Sequence, residues 1–311
     1  MKKEKISLIT PCYNEEEVLP IFYKELEHTL SKMKDVDFEI IFIDDGSKDK
    51  TLDIIKKLAK KDKRIKYLSF SRNFGKEAGM YAGLEISTGD YTAIMDVDLQ
   101  DPPEFLIDMY EGIKEGYDSV CLYTNNYKKY PLVRRGLSKL WYKIISKISF
   151  VEQKNGARDF RLMNRKMVEA ILDTKEYNRY SKGIFSFVGF KTKWLEYEIP
   201  ERKIGESKFS LKKLLSYSLD GITSFSAKPL KAAAYTGLLF CIISFVAIIV
   251  IIIKTLVFGD PVQGWPSLAC ILIFVSGVQL LFLGIIGTYI SKIYMEVKQR
   301  PLYIIRERND K

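Results

Sequence analysis

The first 125 residues alternate between short apolar runs and longer stretches with helical spacing. Ile6–Thr10, Phe38–Ile43, Ile65–Phe70, Tyr91–Met95 and Ser119–Tyr123 are the apolar runs. They are bounded by polar sequence, as strands buried on both faces are. Helical patterns fill the gaps: the polar sequence through Lys34, then Lys50–Lys61, a glycine-punctuated Lys76–Ser87, and Pro102–Lys114 with proline in its first turn. Strand–helix alternation at this spacing predicts an α/β domain whose mostly parallel sheet is covered by helices. Ligands of such sheets gather at the carboxyl ends of the strands.

Beyond residue 230 the pattern changes. Residues 232–253 and 261–291 carry no charged side chain. A helix over the first of these spans roughly 33 Å, enough for a bilayer core of about 30 Å. Two transmembrane helices are therefore expected, at about 232–254 and 266–290. Lys228 and Lys231 precede the first; Lys292, Lys298, Arg300, Arg306, Arg308 and Lys311 follow the second. The connection between them has Asp260 and neither Lys nor Arg. This asymmetry predicts a multi-pass protein of the cell membrane with both chain ends in the cytoplasm. On the second helix Gly277, Gly284, Thr288 and Ser291 form a small-residue stripe, suited to helix contact within one chain or in a homo-oligomer.

Charge adds a third feature. Lys and Arg number 49 against 39 Asp and Glu, a net charge of +10. Part of the surplus is concentrated: residues 119–151 contain no acidic side chain. There Lys128, Lys129, Arg134, Arg135, Lys139, Lys143 and Lys147 interleave with Leu132, Leu137, Leu140, Trp141, Ile144, Ile145 and Ile148. This predicts a basic amphipathic helix at about 131–150, lying on the membrane surface. Anionic headgroups attract such a helix by about 1 kcal/mol per basic residue. A second amphipathic stretch, 209–225, leads into the first membrane helix. The expected organisation is a cytosolic domain over 1–207, a juxtamembrane helix over 208–230, two membrane helices within 231–291, and a basic cytosolic tail over 292–311.

Composition narrows the chemistry. His28 is the only histidine, and Cys12, Cys121, Cys241 and Cys270 are scattered. A histidine zinc site and a Ser-His-Asp triad are disfavoured, and the cysteines read as buried thiols. There is no GxxxxGK[ST] loop and no GxGxxG after the first strand, which disfavours a P-loop NTPase and a dinucleotide dehydrogenase. Carboxylates stand instead at the strand ends: Glu15 after the first, Asp44-Asp45 after the second, Asp96, Asp98 and Asp101 after the fourth. Carboxylates on one rim repel unless a cation or a donor-rich ligand joins them. Hard oxygens from Asp96, Asp98 and Gln100 suit Mg²⁺ or Mn²⁺ bridging a diphosphate.

With these residues in view, the sequence resembles the family 2 glycosyltransferases of GT-A fold, and more narrowly the bacterial polyprenyl-phosphate glycosyltransferases, relatives of dolichyl-phosphate mannose synthase. The resemblance rests on Pro11-Cys12-Tyr13-Asn14-Glu15, Asp44-Asp45-Gly46-Ser47, Arg72-Asn73-Phe74-Gly75-Lys76, Asp96-Val97-Asp98-Leu99-Gln100-Asp101-Pro102-Pro103, Arg158-Asp159-Phe160-Arg161, Gly205-Glu206-Ser207-Lys208 and Arg300-Pro301-Leu302-Tyr303. It covers nearly the whole chain. It implies a nucleotide-sugar donor, a divalent metal (Mg²⁺ or Mn²⁺) and a polyprenyl phosphate acceptor, with no role for nucleic acid. Carried over residue by residue, Pro11, Tyr13, Asn14, Glu15, Asp44, Asp45, Ser47, Lys76 and Asp96 are expected at the nucleotide sugar, and Asp96, Asp98 and Gln100 at the metal. Arg134, Arg135, Arg202 and Lys208 are expected at the lipid phosphate, because guanidinium forks match phosphate oxygens.

The implied reaction is an inverting transfer, with UDP-glucose the first choice of donor and UDP-N-acetylglucosamine the second. A separate flippase and a downstream glycosyltransferase would use the product in cell-envelope glycosylation. The catalytic residues on this reading are Asp98, Arg135 and Asp159. A phosphate acceptor is mostly dianionic at neutral pH, its second pKa lying near 6. Asp159 is thus expected to position arginines or a sugar hydroxyl rather than to act as base. Two rival readings are a processive polysaccharide synthase and a non-enzymatic membrane-tethered nucleotide or lipid sensor. The first lacks its QxxRW motif, since Arg precedes none of Trp141, Trp194 and Trp265.

Overall fold

Eight strands form one mixed sheet in the order β7-β5-β6-β4-β1-β2-β3-β8. The strands are β1 (Glu4–Cys12), β2 (Val36–Asp44), β3 (Ile65–Phe70), β4 (Tyr91–Ile94), β5 (Ser119–Tyr123), β6 (Ala157–Asn164), β7 (Thr192–Glu196) and β8 (Ile305–Arg308). The computed structural model describes residues 3–124, 154, 156–197, 228–258 and 264–310. The expected interface helix at 131–150, the 209–225 stretch, and Arg134, Arg135, Arg202 and Lys208 lie outside the described residues.

β1 pairs in parallel with both β2 and β4, and β2 with β3. The chain thus runs outward from β1 through β2 to β3, then returns to the other side of β1 to make β4. That reversal is a topological switch point, where a crevice opens beyond the carboxyl ends of β1 and β4. β6 is antiparallel to both β4 and β5. Its Asp159 therefore reaches the rim near the end of β4.

Helices cover both faces. On one side α1 (Leu19–Leu30), α2 (Thr51–Lys61) and α4 (Phe105–Lys114) bury Phe22, Leu26, Ile55, Leu106 and Met109 against Ile6, Leu8, Ile40, Phe42 and Phe160. On the other lies α3 (Lys76–Ile86), packed against β1 and β2. The fit there is close: a Cβ on Gly83 would stand 2.2 Å from Ile9 Cγ2. α5 (Arg165–Asp173) packs beside α3, and the short α6 (Ser181–Phe187) follows it. The five strands expected from the apolar runs all form. The edge strands β7 and β8 and the charged β6 were not expected.

A separate helical unit holds α7 (Lys228–Phe258, 31 residues) and α8 (Trp265–Lys298, 34 residues). Phe240 and Phe274 meet edge-on at 5.9 Å between them. Among the described residues, Phe274–Lys298 is long and apolar enough to cross a membrane by length and composition. The small-residue stripe is exposed, and a Cβ at Gly277 or Gly284 would meet nothing within 4 Å.

One buried carboxylate ties the strand starts together. Glu39 on β2 is 2% exposed. Ser7 Oγ (2.5 Å) and the Thr88 amide (2.6 Å) donate to it, and Lys5 and Lys66 pair with it at 3.0 and 2.9 Å. Burial pushes its carboxyl up, but these donors overcome burial and hold it at about 2, against an ordinary 4.5. A carboxyl lowered by folding adds stability in full above its ordinary value, and that stability is lost as pH falls through the folded value. Glu39→Gln should therefore cost on the order of 3 kcal/mol at neutral pH. Its deficit against wild type should shrink between about pH 4.5 and 2 in melting curves of the full chain. A deficit that stays constant through that window would contradict the assignment.

Candidate active site

The rim beyond β1, β2 and β4 is built by loops that bond to one another. After β1 the chain turns at Asn14, whose φ of 54° is left-handed. Asparagine is one of the few residues besides glycine that adopts that conformation readily, and here bonds to the next loop hold it. The Asn14 amide donates to Ser47 Oγ (3.0 Å), and its Oδ1 accepts from the Lys48 amide (2.9 Å). The Glu15 amide donates to Thr51 Oγ1 (2.8 Å), and the Asp45 amide to the Cys12 carbonyl (2.9 Å). Pro11 and Glu15 are half-buried and Tyr13 is exposed. The loops after β1 and β2 are thereby locked into one surface.

Asp44 and Asp45 stand at the end of β2, both buried. Asp44 accepts from the Ser47 amide (3.1 Å) and from Ser69 Oγ (2.7 Å). Asp45 accepts from the amides of Phe74 (2.6 Å) and Gly75 (2.9 Å), so it holds the loop before α3. Burial raises its carboxyl above the ordinary range, and the two amides offset this only in part. The same loop passes so close to Gly46 that a Cβ there would stand 2.4 Å from the Arg72 carbonyl carbon. With φ at +67° as well, position 46 admits only glycine.

Lys76, the first residue of α3, reaches the centre of the rim. Its Nζ lies 2.7 Å from Asp96 and 2.5 Å from Asp159. Lys182 Nζ stands 3.7 Å from Asp159 on the other side. Burial pushes the Asp159 carboxyl up, but Lys76 outweighs it, with Lys182 and Arg158 adding, and the group is held well below the usual carboxylate range. Asp96 is raised: burial and the nearby Asp159 and Asp98 outweigh Lys76. The pair of carboxylates with one ammonium between them answers the repulsion expected of a carboxylate rim.

Asp98 is exposed, and its Oδ1 accepts from the Gln100 amide at 3.1 Å. Leu99 between them has φ of 56°, an uncommon conformation for a branched side chain and one that concentrates at ligand sites. Behind this turn Arg158 donates from Nε to Asp101 (2.8 Å) and from Nη2 to Gln100 Oε1 (3.3 Å). The Tyr197 hydroxyl also donates to the buried Asp101. Arg158 thus orients Gln100. Arg158, Asp101, Tyr197 and Lys182 were not singled out as site residues, although Arg158 and Asp101 stand inside the quoted motifs.

The donor chemistry of the rim fits a divalent cation. Among the described residues no group of three His, Cys, Asp or Glu side chains is gathered for one. Mg²⁺ and its like take one or two carboxylates and complete their shell with substrate phosphates and water. Asp96 and Asp98 provide two carboxylates, Gln100 a neutral oxygen, and Asp98 Oδ2 accepts from no donor among the described residues.

Comparison with known proteins decides the family. The model described as "Glycosyl transferase family 2" matches residues 7–172. The chain belongs to glycosyl transferase family 2. This glycosyltransferase is 45% identical to the SfII prophage-derived bactoprenol glucosyl transferase of Shigella flexneri, over 97% of this chain and 98% of the relative. It is 44% identical to the bactoprenol glucosyl transferase of Shigella phage SfV, over 99% and 100%. Among solved structures, mannosyl-3-phosphoglycerate synthase from Rubrobacter xylanophilus aligns with a TM-score of 0.46 and 15% identity, over 70% of this chain and 72% of that one. The mixed α/β sheet has the GT-A-like fold expected of glycosyl transferase family 2.

Lys76→Met tests the counter-ion role of the ammonium. Removing one positive charge a few ångströms from two carboxylates leaves their field uncompensated. In the absence of nucleotide, Mn²⁺ should bind the variant at least roughly tenfold more tightly, by the free-ion signal in electron paramagnetic resonance. Equal or weaker binding would mean that Lys76 is not neutralising this rim.

Proposed function

We propose that this enzyme transfers a sugar, glucose first and N-acetylglucosamine second, from its UDP donor to a polyprenyl phosphate at the cytoplasmic membrane face. The observation that carries the reading is the match at about 45% identity, end to end, with proteins named bactoprenol glucosyl transferases. The carboxylate rim at the switch point supports it. Both α7 and α8 cross the membrane in this reading, both chain ends are cytoplasmic, and the basic stretch at 131–150 lies on the lipid surface. The acceptor phosphate meets Arg134, Arg135, Arg202 and Lys208. A flippase and a second glycosyltransferase act on the product.

Each residue has a task in this reading. Tyr13, Asn14, Glu15 and Ser47 line the surface that receives the nucleoside, with Pro11, Asp44 and Asp45 fixing its shape. Lys76 exchanges Asp96 for a diphosphate oxygen when the donor arrives. Asp96, Asp98 and Gln100 hold the cation, and Arg158 keeps Gln100 aimed. When bound, Mg²⁺ or Mn²⁺ neutralises charge on the departing diphosphate. The acceptor phosphate oxygen attacks the anomeric carbon from the face opposite the leaving group, which inverts the centre.

A panel of UDP- and GDP-sugars offered with undecaprenyl phosphate, read by thin-layer chromatography of the lipid product, tests the function directly. One donor should give a single acid-labile glycolipid. A polymer, or no product with any donor, would defeat the proposal. Asp98→Asn should abolish that product while leaving the melting temperature unchanged, since the side chain is exposed and packs no core. Turnover at the wild-type rate in saturating Mg²⁺ would remove Asp98 from the cation site.

Asp159 is the second test. Its ionised form is favoured by Lys76, Lys182 and Arg158, with Asp96 and Glu77 opposing, so it makes a weak base. An acceptor that titrates near pH 6 needs none. Asp159→Asn should lower the rate yet keep the acid limb of the pH–rate profile, because the phosphate still titrates. Disappearance of that limb would make Asp159 the base after all.

A further inference from the structure

The residues that follow α8 return to the sheet. β8 lies antiparallel to β3, with Leu68 opposite Arg308 and Phe70 opposite Ile305. Asn309 seals the pairing: its Oδ1 accepts from the Tyr67 amide at 2.5 Å and its Nδ2 donates to the Ile65 carbonyl at 3.3 Å. Lys56 and Glu307 pair across the same edge at 2.6 Å. Just before β8, the Ile304 carbonyl accepts from the Ser71 amide at 2.9 Å. That contact is already in the loop that leads to Lys76.

Tyr303 packs on the start of this loop and ties it to the far end of α3. Its ring stacks on Phe70, the last residue of β3, with centroids 4.8 Å apart and planes 19° from parallel. Its hydroxyl donates to Glu85 near the end of α3. Phe70 in turn meets Phe74 edge-on at 5.8 Å, and the Arg72 guanidinium covers the Phe74 ring at 4.0 Å. The Phe74 and Gly75 amides are the two that Asp45 holds, and the next residue is Lys76. The loop has few other restraints: Ser71, Arg72 and Asn73 are exposed, and α3 begins without a side-chain cap. Aromatic pairs of this geometry are worth about 0.5–1.5 kcal/mol each beyond the area they bury. That is enough to decide which conformation a short exposed loop adopts.

We infer that Tyr303 is a positioning residue for the sugar donor, acting through Phe70 and Phe74 on the loop that carries Lys76. The inference rests on the reading of the carboxylate rim as the donor site. It assigns no contact with substrate to Tyr303. What Tyr303 sets is the fraction of molecules whose loop is ready before the donor arrives, and apparent affinity falls in proportion to that fraction.

The test uses the full chain in lipid nanodiscs, with UDP and Mg²⁺ as the calorimetric probe and both substrates varied in turnover. Tyr303→Leu should raise the UDP dissociation constant and the donor KM roughly tenfold, as when the ready fraction falls to about a tenth. The acceptor KM and the kcat at saturating donor should stay within about twofold of wild type, because a bound donor restores the loop. Tyr303→Phe keeps the stacked ring and should recover most of the donor affinity. Wild-type UDP binding by Tyr303→Leu would overturn the inference, as would parallel rises in both KM values together with a lowered melting temperature. Should Tyr303→Leu fail to fold, Phe74→Leu cuts the same chain at a half-buried ring and carries the same expectations. A wild-type chain that binds neither UDP nor GDP would overturn the donor-site reading and the inference with it. A wild type that binds UDP while Tyr303→Leu binds it equally well would leave that reading standing and remove only the role of Tyr303.

Discussion

Carboxylates that converge on one sheet edge need positive charge, and Lys76 provides it between Asp96 and Asp159. The rest of the site follows from keeping that ammonium in place. α3 must start at residue 76, so the loop before it must turn tightly, so Asp45 must be free to take two of its amides. Asp45 can do so because β2 delivers it to the rim, and because Gly46 leaves room for the Arg72 backbone. On the far side β6 brings Asp159 up from the opposite direction, antiparallel to β4. The parallel half of the sheet supplies one set of charged groups and the antiparallel strand supplies the other.

Charge balance also orders the site in depth. Asp159 sits between two lysines and stays ionised, while Asp96 is pushed the other way by burial and by its acidic neighbours. Asp98 alone of the three is exposed. The rim thus presents an open carboxylate first and a lysine-paired one behind it. Arg158 stands one layer further back, where Asp101 and Tyr197 fix it and it fixes Gln100.

The central strands were readable because burial on both faces forces near-continuous apolar sequence. Ile40, Ile41, Phe42 and Ile43 have no exposure at all. The carboxylates at their ends were readable too, since charge directly after such a run must lie at the rim. β6 was not, because its Arg158 and Asp159 interrupt the apolar pattern at the positions that serve the site. β8 reads Ile-Arg-Glu-Arg and presents itself as a charged tail; an edge strand needs little apolar sequence when one face meets water. Lys182 carried no local signal. Its role depends on β6 and α6 being brought together, and no spacing along the chain encodes that.

β8 has a consequence in time. Its partner β3 lies more than two hundred residues earlier, with both long apolar helices in between. Ribosomes release the chain in order, and domains generally fold as their residues emerge. The sheet can assemble from β1 to β7 while the outer edge of β3 stays unpaired, and an unpaired strand edge recruits other strands. That edge closes only when the segment beyond the second helix is made. Closure of the β3 edge therefore waits for synthesis of both helices, and the eight-stranded sheet is completed only after them.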